Sequence, residues 1–348
     1  MLPADIADDY YHTLLGLEKK IPVLMFRSPQ TESRPPLIDW LIMASNFFDL
    51  HSSSLHLSIA LMDTFLDSFI VDSEQLHLLG LSCIQIAAKF EEREVAIPRV
   101  KELLELTKKP YSLKLCMKME LAVLSHLKWQ VGIPTVAHFC NYYSSQLIDS
   151  TDLLLDRPLK PDEVSTVDQL CRDYLSYLIN LPLQDINFRR LRPSVVACAV
   201  LAAVRQLVSL SPLWPDRLEA KSGISVNSFS GPLQNIVSMY EVAKAAQEQT
   251  CHRKRVANQN DDVSLSSGYI SGNSPSIASD SIRSPDPSSE IESSSFSPPV
   301  SIPTEESKNL LDVGDSVGPK DTFHELCSAS PSTSSSSANS CYNPAIQQ

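Results

Sequence analysis

Glycine is scarce in this chain, with 9 in 348 residues, at 16, 80, 132, 223, 231, 268, 272, 314 and 318. Neither G-x-G-x-x-G nor G-x-x-x-x-G-K-[ST] can be assembled from them, so no Rossmann or P-loop nucleotide site is expected. Positive charge is also short. Lys and Arg total 29 against 41 Asp and Glu, a formal net charge of −12. Binding driven by phosphate neutralisation needs the opposite balance, so no nucleic-acid partner is expected. Eight cysteines (83, 116, 140, 171, 198, 251, 327, 341) form no C-x-x-C. They read as small buried hydrophobes of a reducing compartment, not as a zinc or redox site. His12, His51, His56, His77, His126 and His138 show no H-E-x-x-H or other ligand spacing. No metal and no cofactor is expected. Long apolar runs are missing too. The longest uncharged one, Val195 to Val204, is far short of the ~20 residues a membrane span needs. The start, MLPADIADDYYH, has neither a basic opening nor an apolar core and does not read as a signal peptide. A soluble intracellular protein is expected.

What is present divides near residue 250. Residues 250–348 hold 26 serines and nine prolines, with 12 acidic residues against 6 basic. So few apolar side chains cannot offset chain entropy, and this Ser/Pro-rich acidic tail is expected to be disordered. Residues 1–249 are dense in Leu, Val, Ile and Ala at helical spacing.

Leu55, Ile59, Met62, Leu66 and Phe69 step by 4, 3, 4, 3. Leu76, Leu79, Cys83, Ile86 and Phe90 step by 3, 4, 3, 4, and Leu113, Met117, Leu121, Leu124 and Leu127 by 4, 4, 3, 3. These are amphipathic stripes with a period near 3.6. No strict alternation of similar length occurs, so no sheet is predicted. Pro36, Pro98, Pro134, Pro193 and Pro215 each precede an apolar run, where a missing N–H costs nothing. Asp72 followed by Gln75 suggests a capping box for a helix over about 73–90. The pattern predicts a leader helix near 4–20 and then two sets of five. The first set lies at about 36–49, 54–70, 73–91, 98–106 and 111–128, the second at about 135–147, 164–181, 193–209, 214–221 and 228–248. The third helix of each set is apolar nearly all round, so each set is expected to pack around it.

Segments taken in chain order now carry a resemblance. RPPLIDWL (34–41), SSLHLSIALMDTFL (53–66), LHLLGLSCIQIAAKFEE (76–92) and MELAVLSHLKW (119–129) resemble the cyclin box, and PTVAHF (134–139) resembles the start of a second cyclin fold. LRPSVVACAVLAAV (191–204) and SPLWPDRL (211–218) fit that fold's later helices. Within cyclins the chain most resembles the cyclin J and cyclin-J-like subgroup. The resemblance implies an all-α protein: leader helix and N-terminal cyclin box over 1–130, C-terminal cyclin fold over 131–249, disordered tail over 250–348. It also implies the function. A cyclin contributes no catalytic group; it binds a cyclin-dependent serine/threonine kinase as a heterodimer, activates it toward its substrates, and acts in cell-cycle control. A scaffold of cyclin-like fold without a kinase is the alternative.

The resemblance assigns residues as well. Arg34 and Asp63 match an ion pair clamping the first box helix to the second. Lys89 and Glu120 match a charge pair that meets both each other and the kinase. Glu120 shares its stripe with Cys116, Met117, Val123 and Leu124, and a carboxylate on an apolar stripe needs a partner. Lys89 ends an apolar helix, where a cation suits the dipole. Phe90, Glu92, Leu124, Trp129 and Val131 match the apolar and acidic rim of that kinase surface. Leu37, Trp40, Met43, Leu76 and His77 match a groove that docks basic-x-leucine substrate motifs. There the pattern departs. Ser33 and Pro36 replace larger apolar residues, Met43 stands where an acid receives the motif's cation, and His77 replaces a glutamine.

Other motifs are local. Arg34-x-x-Leu37 has the form of a destruction box, but it falls inside a predicted packed helix. HRKR (252–255) is a candidate nuclear-import patch or a simple helix-end cluster. Nuclear and cytoplasmic localisation is expected, the nucleus favoured. Ser-Pro pairs at Ser274, Ser284, Ser297 and Ser330 are candidate sites for proline-directed kinases.

Overall fold

In a computed structural model the chain is described over residues 4–25 and 32–264, with side chains over 6–25 and 32–249. The leader helix is α1 (Ala4–Glu18). A first bundle follows: α2 (Arg34–Phe47), α3 (Ser52–Ser68), α4 (Leu76–Glu91), α5 (Val100–Thr107) and α6 (Leu113–His126). The second bundle comprises α7 (Val136–Tyr143), α8 (Val164–Leu178), the short α9 (Leu181–Gln184), α10 (Pro193–Val208), α11 (Asp216–Ser222) and α12 (Ser230–Ser264). The expected all-α tandem architecture is found, with one departure: the second bundle holds six α-helices where five were expected, the short α9 being the addition.

Each bundle closes around an apolar helix. On α4 every residue from Leu78 to Ala88 is buried, and on α10 every residue from Pro193 to Arg205. Such helices have no solvent face, so neighbours must cover them on all sides. One feature goes beyond the expected stripe pattern. α3 is also buried all round from Ser53 to Asp63, polar residues included. It packs against α4 on one side and against α7 of the second bundle on another. Its small serines let both neighbours approach.

Packing also groups the chain differently from chain order. Tyr11 and Leu14 of the leader belong to the second core, while Leu183, beyond the first bundle, belongs to the first core. The Tyr11 hydroxyl donates to the Ser222 carbonyl at 2.9 Å, and its ring stacks on Tyr142 with centroids 4.4 Å apart. Glu18 is buried and accepts from Ser194 N at 2.7 Å and Ser194 Oγ at 2.9 Å. A carboxylate at the N-terminus of α10 satisfies one orphan N–H and complements the dipole.

Three local expectations are corrected. α4 begins at Leu76, and Gln75 at its cap makes no side-chain bond. Asp72 instead closes a turn, its carbonyl accepting from Gln75 N at 2.8 Å. The last helix does not stop near 248; its backbone runs to Ser264. Among the described residues three two-residue strands also exist: β1 (Leu153–Leu154), β2 (Arg157–Pro158) and β3 (Leu210–Ser211), in antiparallel order β2-β1-β3. Two residues carry no readable alternation.

A buried carboxylate anchors this small sheet. Asp152 binds Arg205 through Nη1 and Nη2 at 3.0 and 2.9 Å, and Arg217 through Nη2 at 2.6 Å. Arg205 is fully buried and also donates to the Leu147 and Pro212 carbonyls. Burial works against the Asp152 charge, yet the two guanidinium groups hold its carboxyl below the usual aspartate value. The five cysteines with described side chains are buried and unpaired.

Candidate functional site

Lys89 lies in the last turn of α4 and Glu120 in the middle of α6, and these two helices pack together. Lys89 Nζ donates to Glu120 Oε1 at 2.5 Å, with the side chains 46% and 23% exposed. The two charges do face each other, at the surface.

Around the pair lies an apolar field. Phe90, Leu113, Met117, Leu121 and Trp129 are all exposed, Met117 by 62% and Trp129 by 65%. Leu124 and Val131 are half-buried and lean on the first core. This corrects the reading of α6. Leu113, Met117 and Leu121 were expected on its core stripe, but the core face is Cys116, Met119 and Val123. More than half of α6 is apolar, so periodicity shows a helix but leaves open which arc faces inward. The arc left outside is the one beside Lys89–Glu120.

Glu92 does not join that rim. Its side chain is 1% exposed and turned to the start of α3. It accepts from His51 N at 2.7 Å and from Ser54 Oγ at 2.5 Å, with His51 Nδ1 at 2.7 Å. Burial alone would raise its pKa, but the Ser54 and His51 hydrogen bonds hold it below the usual value. The carboxylate is a cap for α3, because its backbone leaves α4 in an extended conformation that aims the side chain back.

Arg34 and Asp63 form the expected clamp. Arg34 Nε and Nη2 donate to Asp63 Oδ1 and Oδ2 at 2.8 and 2.9 Å, both residues buried. The node is larger than the sequence indicated. Arg34 Nη1 also donates to the Leu183 carbonyl at 2.8 Å, and Arg189 Nε sits 3.1 Å from Asp63 Oδ2. One aspartate thus ties α2, α3 and the second bundle together. A second tie lies nearby. Thr135 N donates to His138 Nδ1 at 3.0 Å, so His138 Nε2 carries the proton that meets Glu91 Oε1 at 3.0 Å. Nothing in the sequence pointed to Arg189. Arg205 did have a signal, a charge inside the apolar run PSVVACAVLAAVRQLV.

The docking-groove residues come together only in part. Leu37 and Leu76 are buried in the first core. Trp40 is half-buried and meets the His77 ring edge-on, centroids 5.5 Å apart, and Met43 is exposed. Lys109 Nζ lies 3.2 Å from His77 Nδ1, so the groove carries a cation and no described acid at Met43. Arg34 and Leu37 are both buried, which packs the destruction-box-like motif into α2. The HRKR side chains and Ser274, Ser284, Ser297 and Ser330 lie outside the described residues. Among the described residues no group of His, Cys, Asp or Glu could hold a metal, and no helix is long and apolar enough to cross a membrane.

Comparison with known families decides the identity. The cyclin N-terminal domain model matches residues 9–132, and the cyclin C-terminal domain model matches residues 134–268. The chain belongs to the cyclin family. Among curated cyclins it is 35% identical to cyclin-J of Xenopus laevis over 61% of this chain and 56% of that protein. It is 31% identical to the cyclin-J-like protein of Mus musculus over 68% of this chain and 62% of that protein. The matched region therefore spans little more than half of these relatives' length. Among solved structures, a viral cyclin from herpesvirus saimiri superposes with a TM-score of 0.53 at 20% identity, covering 66% of this chain and 95% of that one. That match supports the cyclin fold. The cyclin boxes thus correspond to the two bundles, and Lys89 and Glu120 both lie in the N-terminal one.

Proposed function

We propose that this cyclin is the regulatory subunit of a cyclin-dependent serine/threonine kinase, binding it through the face around Lys89 and Glu120. The observation that carries the reading is the exposed apolar field of Phe90, Met117, Leu121 and Trp129 around one accessible ion pair. Such a field suits a partner that buries aromatics and desolvates charges together. The chain supplies no catalytic group in this reading. It shifts the kinase between conformations, and moving an equilibrium from 1:99 to 99:1 takes about 5.5 kcal/mol of differential affinity. In the kinase, the lobe helix that must swing in to complete the ATP site and the activation loop that must open are the elements to be biased. Activity in the cell cycle, and in the nucleus more than the cytoplasm, belongs to the same proposal. Affinity capture with the full chain from dividing cells, followed by a kinase assay on the captured complex, tests it. An active kinase that is lost with Lys89→Ala/Glu120→Ala supports the reading. Capture of proteins without a kinase supports a scaffold instead.

A further inference from the structure

A cleft of about 660 Å³ lies behind the segment that carries Trp129 and Val131. Its walls are the end of the leader and the residues after it, the last turn of α3, and the stretch from His126 to Pro134. Within it, residues 128–132 alternate. Lys128, Gln130 and Gly132 line the cleft, while Trp129 and Val131 between them do not. The segment is also held closely. Lys128 and Trp129 both take left-handed backbone, φ 51° and 64°, and Trp129 N donates to the Leu124 carbonyl at 2.9 Å. Gly132 lies against Phe90, whose Cζ would sit 3.4 Å from an added Cβ. One short segment therefore has one side in the cleft and the other in the candidate kinase face.

The lining has an amphipathic chemistry. Leu17, Ile21, Leu24, Leu127 and Ile133 supply apolar walls. Lys20 and Lys128 stand beside them, and no ion pair joins either to a carboxylate of the described residues. The lining acid, Asp67, already accepts from Met25 N at 3.0 Å. His126 sits edge-on to Phe65 and Phe69, and burial pushes its pKa down, so the imidazole is neutral near pH 7. The volume is within the ~300–1,000 Å³ of small-molecule sites.

We propose that this cleft binds an amphipathic small-molecule anion, its apolar body against Leu17, Leu24 and Ile133 and its charged head between Lys20 and Lys128. The occupant bears on the segment that presents Trp129 and Val131, so its binding is coupled to the affinity for the kinase. The coupling rests on the function proposed above; the site itself does not.

The test uses the full chain without a kinase and the probe 8-anilinonaphthalene-1-sulfonate. Saturable one-to-one binding is expected, displaced by dodecanoate and roughly tenfold less well by dodecanol, which lacks the charge. Lys20→Ala/Lys128→Ala should weaken dodecanoate by roughly tenfold or more. Ser68→Trp should block the cleft, and Lys101→Ala/Lys244→Ala should change nothing, with circular dichroism unaltered throughout. No saturable binding, or binding indifferent to Lys20, Lys128 and Ser68, overturns the site. The coupling is read by repeating the kinase capture with dodecanoate present. A captured amount that shifts supports the coupling, and a kinase that binds equally well either way overturns it. A chain that binds dodecanoate but captures no kinase overturns the coupling and the proposed function and leaves the site standing.

Discussion

Asp63 and Glu120 are both carboxylates answered by a cation from a neighbouring helix, in opposite surroundings. Asp63 is buried, bound bidentately by Arg34, approached by Arg189, and linked through Arg34 to carbonyls of the second bundle. Asp152 repeats the pattern with Arg205 and Arg217. Glu120 makes one contact, with Lys89, at the surface and amid exposed apolar side chains. A buried pair orients packing and becomes costly when one partner is lost. An exposed pair adds little to stability. The difference separates charges that hold the cyclin folds together, within one fold at Asp152 and between the two at Asp63, from charges left available to another molecule.

The largest effect is therefore expected at the buried nodes. Asp152→Asn leaves Arg205 and Arg217 uncompensated and should cost about 3–5 kcal/mol, read from urea unfolding. Asp63→Asn should cost a similar amount, and a loss under about 1 kcal/mol at either site would erase the contrast with Glu120. Acid sharpens the same point. The Asp152 carboxyl is held below its unfolded value. Its contribution is thus fully present above the ordinary aspartate pKa of about 3.9 and is lost as pH falls through the folded value. Glu92 has the same sign. Wild-type stability should fall below about pH 4, and Asp152→Asn should show a shallower fall over that range.

At the exposed face stability and binding should part company. Lys89→Ala/Glu120→Ala should change unfolding by no more than about 1 kcal/mol, since the lysine is nearly half exposed. The same variant should abolish kinase capture. Met117→Glu/Leu121→Glu should move stability by only about 0.5 kcal/mol and weaken capture by roughly tenfold or more. If capture survives both variants, the kinase binds elsewhere.

These contrasts also show what a sequence makes legible. The two apolar helices were readable because α4 and α10 have no polar arc, and such helices can only be central. A carboxylate on an apolar stripe asks for a partner, and the resemblance to cyclins implied that Lys89 answers Glu120. The outward turn of Leu113, Met117 and Leu121 was not, because an apolar helix surface serves a core and a partner equally well. Glu92 was misplaced because its direction depends on one residue of extended backbone after α4. The alignment of Arg189 and Leu183 on the first bundle depends on how the two folds dock, which no local spacing encodes.

The smallest expected effect concerns the altered groove on α2. Leu37 and Leu76 are drawn into the core, so Trp40 and Met43 supply most of what remains accessible there. Lys109, beside His77, brings a positive charge to the place a basic peptide would approach. A charge-assisted hydrogen bond contributes about 1.5–3 kcal/mol, so lacking an acid at Met43 should weaken basic-x-leucine peptides by roughly 10–150-fold. Met43→Glu should recover part of that affinity, and Lys109→Ala should add a smaller gain by removing repulsion across the groove. The two gains should shrink as salt is raised, because both groups are near solvent. Fluorescence anisotropy of a labelled basic-x-leucine peptide against the full chain measures all three. Low-micromolar binding by the unaltered protein would show that Trp40 alone sustains docking and that the charge at position 43 is immaterial.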